Sequence, residues 1–230
     1  MKRSLSSAIP PAVALVKATA GYGATPVLRD VDLTVEPGER VAILGRSGAG
    51  KSTLINLVYE RYAGHAALIP QAGALVRNLT VFHNVYMGQL DRRTTLHNLR
   101  NLAWPSRADV RGVEAILDEV GLADKIFAKA GELSGGQQQR TSVARALYNG
   151  RSIVLGDEPV SALDRVQAAD VLAALCRHHQ TGIFALHDVR LALEQTDRIL
   201  VIEEGRIALD RPSGELSLAD ILPYYQGELA

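Results

Sequence analysis

The residues best equipped for chemistry in this chain are a lysine inside a glycine-rich turn, a pair of adjacent carboxylates, and a second glycine-rich turn bearing a hydroxyl. Gly45-Arg46-Ser47-Gly48-Ala49-Gly50-Lys51-Ser52 fits G-x-x-x-x-G-K-[ST]. The apolar run Val41-Ala42-Ile43-Leu44 precedes it, and Thr53-Leu54-Ile55 opens a helical pattern after it. Strand, loop and helix thus stand in the order a phosphate cradle needs. Glycines let successive N–H groups turn inward, and the positive end of the following helix adds to the attraction for phosphate. Lys51 supplies a point charge for the β- and γ-phosphates, and the Ser52 hydroxyl is placed to ligate Mg²⁺. Asp157 and Glu158 end the apolar run Ile153-Val154-Leu155-Gly156, which puts both at the edge of a parallel sheet where ligands bind. Asp157 is placed to hold the same Mg²⁺, and Glu158 to align and deprotonate an attacking water.

His187 ends a third apolar run, Gly182-Ile183-Phe184-Ala185-Leu186. It shares the sheet edge with Asp157, where it can touch the γ-phosphate or orient Glu158. Leu133-Ser134-Gly135-Gly136-Gln137-Gln138-Gln139-Arg140 forms a second anion-binding turn at a helix N-terminus. One triphosphate does not need two cradles from one chain, so this turn is expected to cap the nucleotide held by another copy.

The elements that must position these groups follow from periodicity. Residues 13–17 and 27–35 alternate as strands of an antiparallel edge sheet, and residues 36–39 form a turn. The helix after Lys51 runs to about residue 59, and residues 66–69 make a short strand ending at Pro70-Gln71. Residues 80–87 and 106–120 are helical patterns separated by a polar, basic stretch, 89–101. A helix over 135–148, a strand at 152–155, a helix over 165–178 and a strand at 182–186 then alternate. A hairpin at 198–202 and 206–210 and a tail with one short helical pattern finish the chain. This is an α/β protein with a parallel, doubly wound core, a small antiparallel lobe and a helical insertion.

Length and composition agree with that reading. The chain has 230 residues, 47% of them hydrophobic, and its 25 Lys+Arg balance 25 Asp+Glu, so no basic field argues for nucleic acid. The single Cys176 fits a reducing compartment without disulfides. Pro10-Pro11 interrupts the apolar core a signal sequence would need, residues 1–11 read as a loose leader, and no run is long enough to span a membrane. A cytoplasmic protein is expected.

Over nearly its whole length the sequence resembles the ATPase subunit of ATP-binding cassette transporters. Leu133–Gln137 matches that family's signature letter for letter, and Ser161-Ala162-Leu163-Asp164 matches its loop across the dimer interface. The resemblance implies further roles. Gln71 is expected to contact Mg²⁺ and the lytic water and to sense the membrane partner. His187 would be the switch histidine, and Tyr22 would stack on adenine. The expected machine is a head-to-tail homodimer binding two ATP with Mg²⁺, each ATP lying between Gly45–Thr53 of one chain and Ser134–Gln137 of the other. It would work on an integral membrane permease and, indirectly, a solute-binding protein, at the inner face of the cell membrane. The implied organisation is one domain over 1–230: antiparallel lobe and phosphate-loop core at 12–71, helical subdomain at 72–140, and the rest of the core and tail at 141–230. The helical region 80–130 would dock the permease, and Arg92, Arg93, His97 and Arg100 form a solvated face that could lie near anionic headgroups.

Within the family, residues 79–88, the segment through Leu96, Leu99, Trp104 and Arg107, and the run Gly121–Lys125 are similar to phosphonate importer ATPases. Two departures stand out. The interval from Lys51 to Gln71 is shorter than the family's, which would cost strands of the antiparallel lobe, and Pro70 replaces a frequent aromatic. Two rival readings remain at this level: an accessory ATPase of a soluble phosphonate-metabolising assembly, and a regulatory module that binds ATP without hydrolysing it.

Overall fold

A computed structural model describes residues 10–23, 25–71 and 75–225. The antiparallel lobe is a two-stranded ribbon of β1 (Val13–Tyr22) and β2 (Thr25–Val35), running from Val13 opposite Val35 to Tyr22 opposite Thr25. Along β2, Leu28, Val31, Leu33 and Val35 are buried while their neighbours face out, the alternation of a half-covered strand. Register shifts interrupt the pairing between Leu15 and Gly21.

The core sheet contains β3 (Arg40–Leu44), β4 (Ala66–Ile69), β5 (Ile153–Asp157), β6 (Thr181–Ala185), β7 (Arg198–Glu203) and β8 (Arg206–Pro212). Their spatial order is β4-β5-β6-β3-β7-β8, all parallel except the β7–β8 hairpin. Apolar side chains emerge on both faces, as a doubly covered sheet requires. Val41, Ile43, Leu155 and Ile183 join a core built with α1 (Lys51–Tyr62) and the β1–β2 ribbon. Ala42, Leu44, Val154 and Phe184 face the opposite core.

That second core carries α2 (Val81–Tyr86), α4 (Arg107–Glu119), α5 (Gly135–Asn149), α6 (Arg165–His178), α7 (Val189–Gln195) and α8 (Leu218–Ile221), while α3 (Thr95–Ala103) adds no apolar side chain to it. Side-chain caps start most of them: Thr80, Thr94, Ser106, Ser134, Asp164 and Asp188 each accept a bond from the backbone N–H three residues on.

Three differences from the sequence reading matter. Residues 89–101, expected as a polar stretch between helices, contain most of α3. Helix α7 was not anticipated, because seven residues carry too little periodicity to stand out. The short interval after Lys51 sends the chain from α1 through one turn straight into β4, which leaves the lobe as β1 and β2 alone.

Candidate functional site

The phosphate-loop residues gather at the C-terminal end of β3. Gly45 lies at φ 137°, and a Cβ there would meet the Ile202 carbonyl at 2.3 Å, so only glycine fits the loop against β7. Its N–H donates to the Tyr225 hydroxyl at 3.0 Å, which ties the tail to the loop. Lys51 is buried and spans the loop, donating from Nζ to the carbonyls of Gly45 at 2.7 Å and Arg46 at 3.0 Å. The Ala49 N–H donates to the Arg46 carbonyl at 3.2 Å and closes the turn.

A cleft of about 280 Å³ opens here, lined by Val27, Ser47, Gly48, Gly50, Lys51, Ser52, Thr53, Gln71 and Glu158. Gln71 reaches it despite the short interval, and register explains how. Ile69 pairs with Gly156 across the β4–β5 ladder, so two residues further on Gln71 stands beside the end of β5. The strands missing from the lobe do not displace it.

Asp157 is 7% exposed, and its Oδ1 is buried with no hydrogen-bond partner. Burial pushes its carboxyl above the ordinary carboxylate range. The Ser52 hydroxyl bonds it and pulls the other way, Glu158 adds to the rise, and Lys51 and His187 oppose it. An orphaned, desolvated carboxylate oxygen beside a serine hydroxyl fits a hard divalent cation, which would satisfy the oxygen and favour the charged form.

Glu158 occupies the left-handed region at φ 55°, a conformation that costs a non-glycine residue on the order of 1 kcal/mol. Surrounding bonds hold it there. Its N–H donates to Ala185 at 3.1 Å, and its carbonyl accepts from Gln139 Nε2 at 2.7 Å and from Ser161 Oγ at 3.3 Å. Its carboxylate Oε1 meets His187 Nε2 at 2.5 Å. The structure therefore brings together Lys51, Ser52, Gln71, Asp157, Glu158 and His187.

It does not bring the second glycine-rich turn to the same cleft. Among the described residues, none of Ser134, Gly135, Gly136 or Gln137 lines it. They sit instead at the start of α5, where Ser134 is exposed and forms a reciprocal cap with Gln137, at 3.0 and 3.4 Å. Each of the three consecutive glutamines has its own task. Gln137 completes the cap, Gln138 Nε2 donates to Leu133 at 2.9 Å, and Gln139 bridges to the loop after β5. Gln139 Oε1 also accepts from the Ala162 N–H at 2.7 Å. A Cβ on Gly136 would press the Ala162 carbonyl at 3.2 Å, so glycine permits this close approach. Sequence reasoning missed Gln139, whose partners lie about twenty residues away. The side chain of Tyr22, expected against adenine, lies outside the described residues.

A protein-family model described as ABC transporter matches residues 28–161. The chain is 39% identical to the phosphonates import ATP-binding protein 1 of Pseudomonas syringae pv. tomato, over 89% of this chain and 87% of that protein. It is 35% identical to the phosphonates import ATP-binding protein of Anaeromyxobacter dehalogenans over 94% of this chain, but spans about half, 48%, of that relative's length. An aliphatic sulfonates import ATP-binding protein of Burkholderia thailandensis is 40% identical, over 87% of this chain and 61% of that protein. Among solved structures, a nucleotide-free ATP-binding cassette from an ABC transporter superposes with TM-score 0.75 at 23% identity, covering 92% of this chain and 97% of that one. The dimeric post-hydrolysis state of a cassette bound to ADP and phosphate gives 0.73 at 24% identity, covering 86% and 96%; both show the fold. With the family model spanning more than half of it, this chain belongs to the ABC transporter family as one of its ATP-hydrolysing subunits.

Proposed function

We propose that the chain powers an importer for a small organic oxyanion, phosphonate or sulfonate, as one half of a head-to-tail dimer docked on a membrane permease. The observation that carries the catalytic part is the Glu158–His187 pair, at 2.5 Å, beside the cleft lined by Lys51, Ser52 and Gln71. Glu158 accepts a proton from the attacking water as it adds to the γ-phosphorus of ATP and the bond to the bridging oxygen breaks, releasing ADP, and His187 fixes the carboxylate's direction. Lys51 holds charge that builds on the β- and γ-oxygens, and Gln71 orients the water. Ser52 and Asp157 are the residues that would hold Mg²⁺, which supplies neutralising charge to the phosphates. Among the described residues no group of three or more His, Cys, Asp or Glu could hold a metal by itself, which suits an ion that takes its remaining ligands from phosphate and water.

Dimerisation is supported by the separation of the two cradles. None of the signature-turn residues lines the chain's own cleft, and Ser134 and Gly135 are exposed, so a second copy is the natural source of the nucleotide the turn caps. The cargo rests on relatives named for phosphonate and sulfonate import, both carbon-bearing oxyanions, and this subunit would not touch it. Among the described residues no helix is long and apolar enough to cross a membrane. The cleft between β4 and the segment after α2, about 480 Å³ and lined by Leu68, Met87, Leu90 and Arg145 among others, is a suitable seat for a permease's cytoplasmic helix.

The test is ATP turnover by the wild type and Glu158→Gln, with mass followed by light scattering. Removal of the base is expected to cut turnover about 1000-fold, keep ATP binding and accumulate an ATP-bound dimer. A variant that hydrolyses ATP normally, or stays monomeric with ATP bound, would refute the composite site.

A further inference from the structure

Helix α3 is inside out. Its inward face is polar: Asn101 is 1% exposed and accepts from the Ser106 N–H at 2.7 Å. Asn98 accepts from the Tyr86 hydroxyl at 2.8 Å and donates to Leu90 at 3.0 Å. His97 meets Asp109 at 2.9 Å. The outward face is apolar. Leu96 is 79% exposed, Leu99 62% and Leu102 53%, and Trp104 just beyond the helix is 77% exposed. The three leucines recur at the three-residue spacing that keeps them on one side of a helix, and Trp104 follows two residues on. Four large apolar side chains within nine residues, all turned to water, form a patch of the kind that marks an interaction surface.

The surrounding charge says what kind. Arg100 lies on the same exposed side of α3, Arg92 stands before the helix and Arg107 after it, all exposed. None of the ion pairs among the described residues uses any of the three. The nearby acids are occupied elsewhere: Asp109 is buried against Ser106, His97 and Arg93, and Asp91 pairs with Arg151. The patch is thus apolar at its centre and cationic at its rim, with a tryptophan at one end. That combination suits the headgroup region of an anionic bilayer, where leucines reach the acyl boundary, tryptophan sits at the interface and arginines meet phosphate.

We propose that α3 and Trp104 form a lipid-docking surface that lays this chain against an anionic membrane. A patch this small gives weak, reversible contact, enough to orient a subunit that is already near the bilayer. The inference does not rest on the cargo or on the composite site.

Trp104 is the only tryptophan in the chain, so its fluorescence reports on this patch alone. The purified protein is titrated with vesicles of phosphatidylcholine and of phosphatidylcholine mixed with phosphatidylglycerol, and sedimented with each. The expected result is a blue shift and shielding from acrylamide on the anionic vesicles only, with co-sedimentation that salt weakens. Leu96→Ser with Leu99→Ser should weaken binding roughly tenfold or more, and Arg100→Gln or Arg107→Gln about fivefold each, with ATP turnover and melting unchanged. An unshifted spectrum on anionic vesicles overturns the proposal, as does equal binding to both vesicles. A blue shift that grows with protein concentration in buffer would assign the patch to a second copy. Shielding that needs a purified permease would assign it to that protein. Either outcome also overturns the lipid reading, and none touches the Glu158→Gln test.

Discussion

Asp157 at the sheet edge and Asp109 in the helical region are both buried carboxylates, and the protein treats them in opposite ways. Asp157 is left short of partners: Oδ1 has none, and burial holds its carboxyl above the usual range. Asp109 is 4% exposed, and burial alone would push it up too. The Ser106 hydroxyl, His97 and Arg93 outweigh burial and hold it below the ordinary value. Leaving a buried polar group unbonded costs about 1–3 kcal/mol, so Asp157 is a stability liability, and a bound cation would offset it. Asp109 is a joint, fastening the start of α3 and Arg93 before it to the start of α4. That is the contrast expected between a carboxylate kept for a ligand and one used as a joint.

Exchanging each carboxylate for its amide should therefore give opposite results, and Asp157→Asn carries the larger effect. Turnover should fall about 100-fold or more as the cation loses a charged ligand. The urea midpoint without nucleotide should hold or rise, because a desolvated charge has gone. A large loss of stability would show Asp157 to be a structural residue and break the contrast.

Asp109→Asn should do the reverse, with turnover within about twofold of wild type and stability lower by roughly 1–3 kcal/mol. The pH dependence has a definite sign. A carboxyl whose folded pKa is lowered contributes its full stability above the ordinary aspartate value of 3.8 and loses it as pH falls through the folded value. The gap between wild type and Asp109→Asn, read from urea midpoints, should be constant near neutrality and close in acid below that value. A gap that widens on acidification would sink the assignment.

What the sequence made legible tracks how local each feature is. The phosphate loop, Asp157-Glu158 and the signature turn are short runs whose types and spacing carry their own physics. The sheet followed because its strands are continuous apolar runs, set off by helices long enough to show a period. Helix α3 stayed hidden because its apolar stripe faces water and its buried side is asparagine and histidine, so a reading that equates apolar with inside finds no helix there. The tasks of the three glutamines were equally invisible, since Gln139 bonds residues near 160 that only the packing of α5 against the end of β5 brings close. That Gln71 lines the cleft across a short Lys51–Gln71 interval follows from the β4–β5 register, which no local pattern encodes.

Gln139 stands on the seam between the two regions, and the smallest predicted effect belongs to it. Its side chain leaves α5, which carries the signature turn, and bonds the Glu158 carbonyl and the Ala162 N–H. It thereby braces the strained backbone at Glu158 from the helical side. Gln139→Ala removes three neutral hydrogen bonds, to the Glu158 carbonyl, the Ser161 hydroxyl and the Ala162 N–H, worth about 1 kcal/mol each at most in this half-exposed setting. The cost should appear as a loss of position for Glu158, with kcat falling about tenfold and KM for ATP nearly unchanged, because Lys51 and the loop that bind phosphate are not touched. Asp109→Asn, in the same helical region but away from the seam, should leave kcat alone, so the two variants together separate bracing of the base from general softening of the helices. If Gln139→Ala instead raised KM with kcat intact, the glutamine would act on nucleotide binding, and the helical side would reach the site through the phosphate loop and not through Glu158.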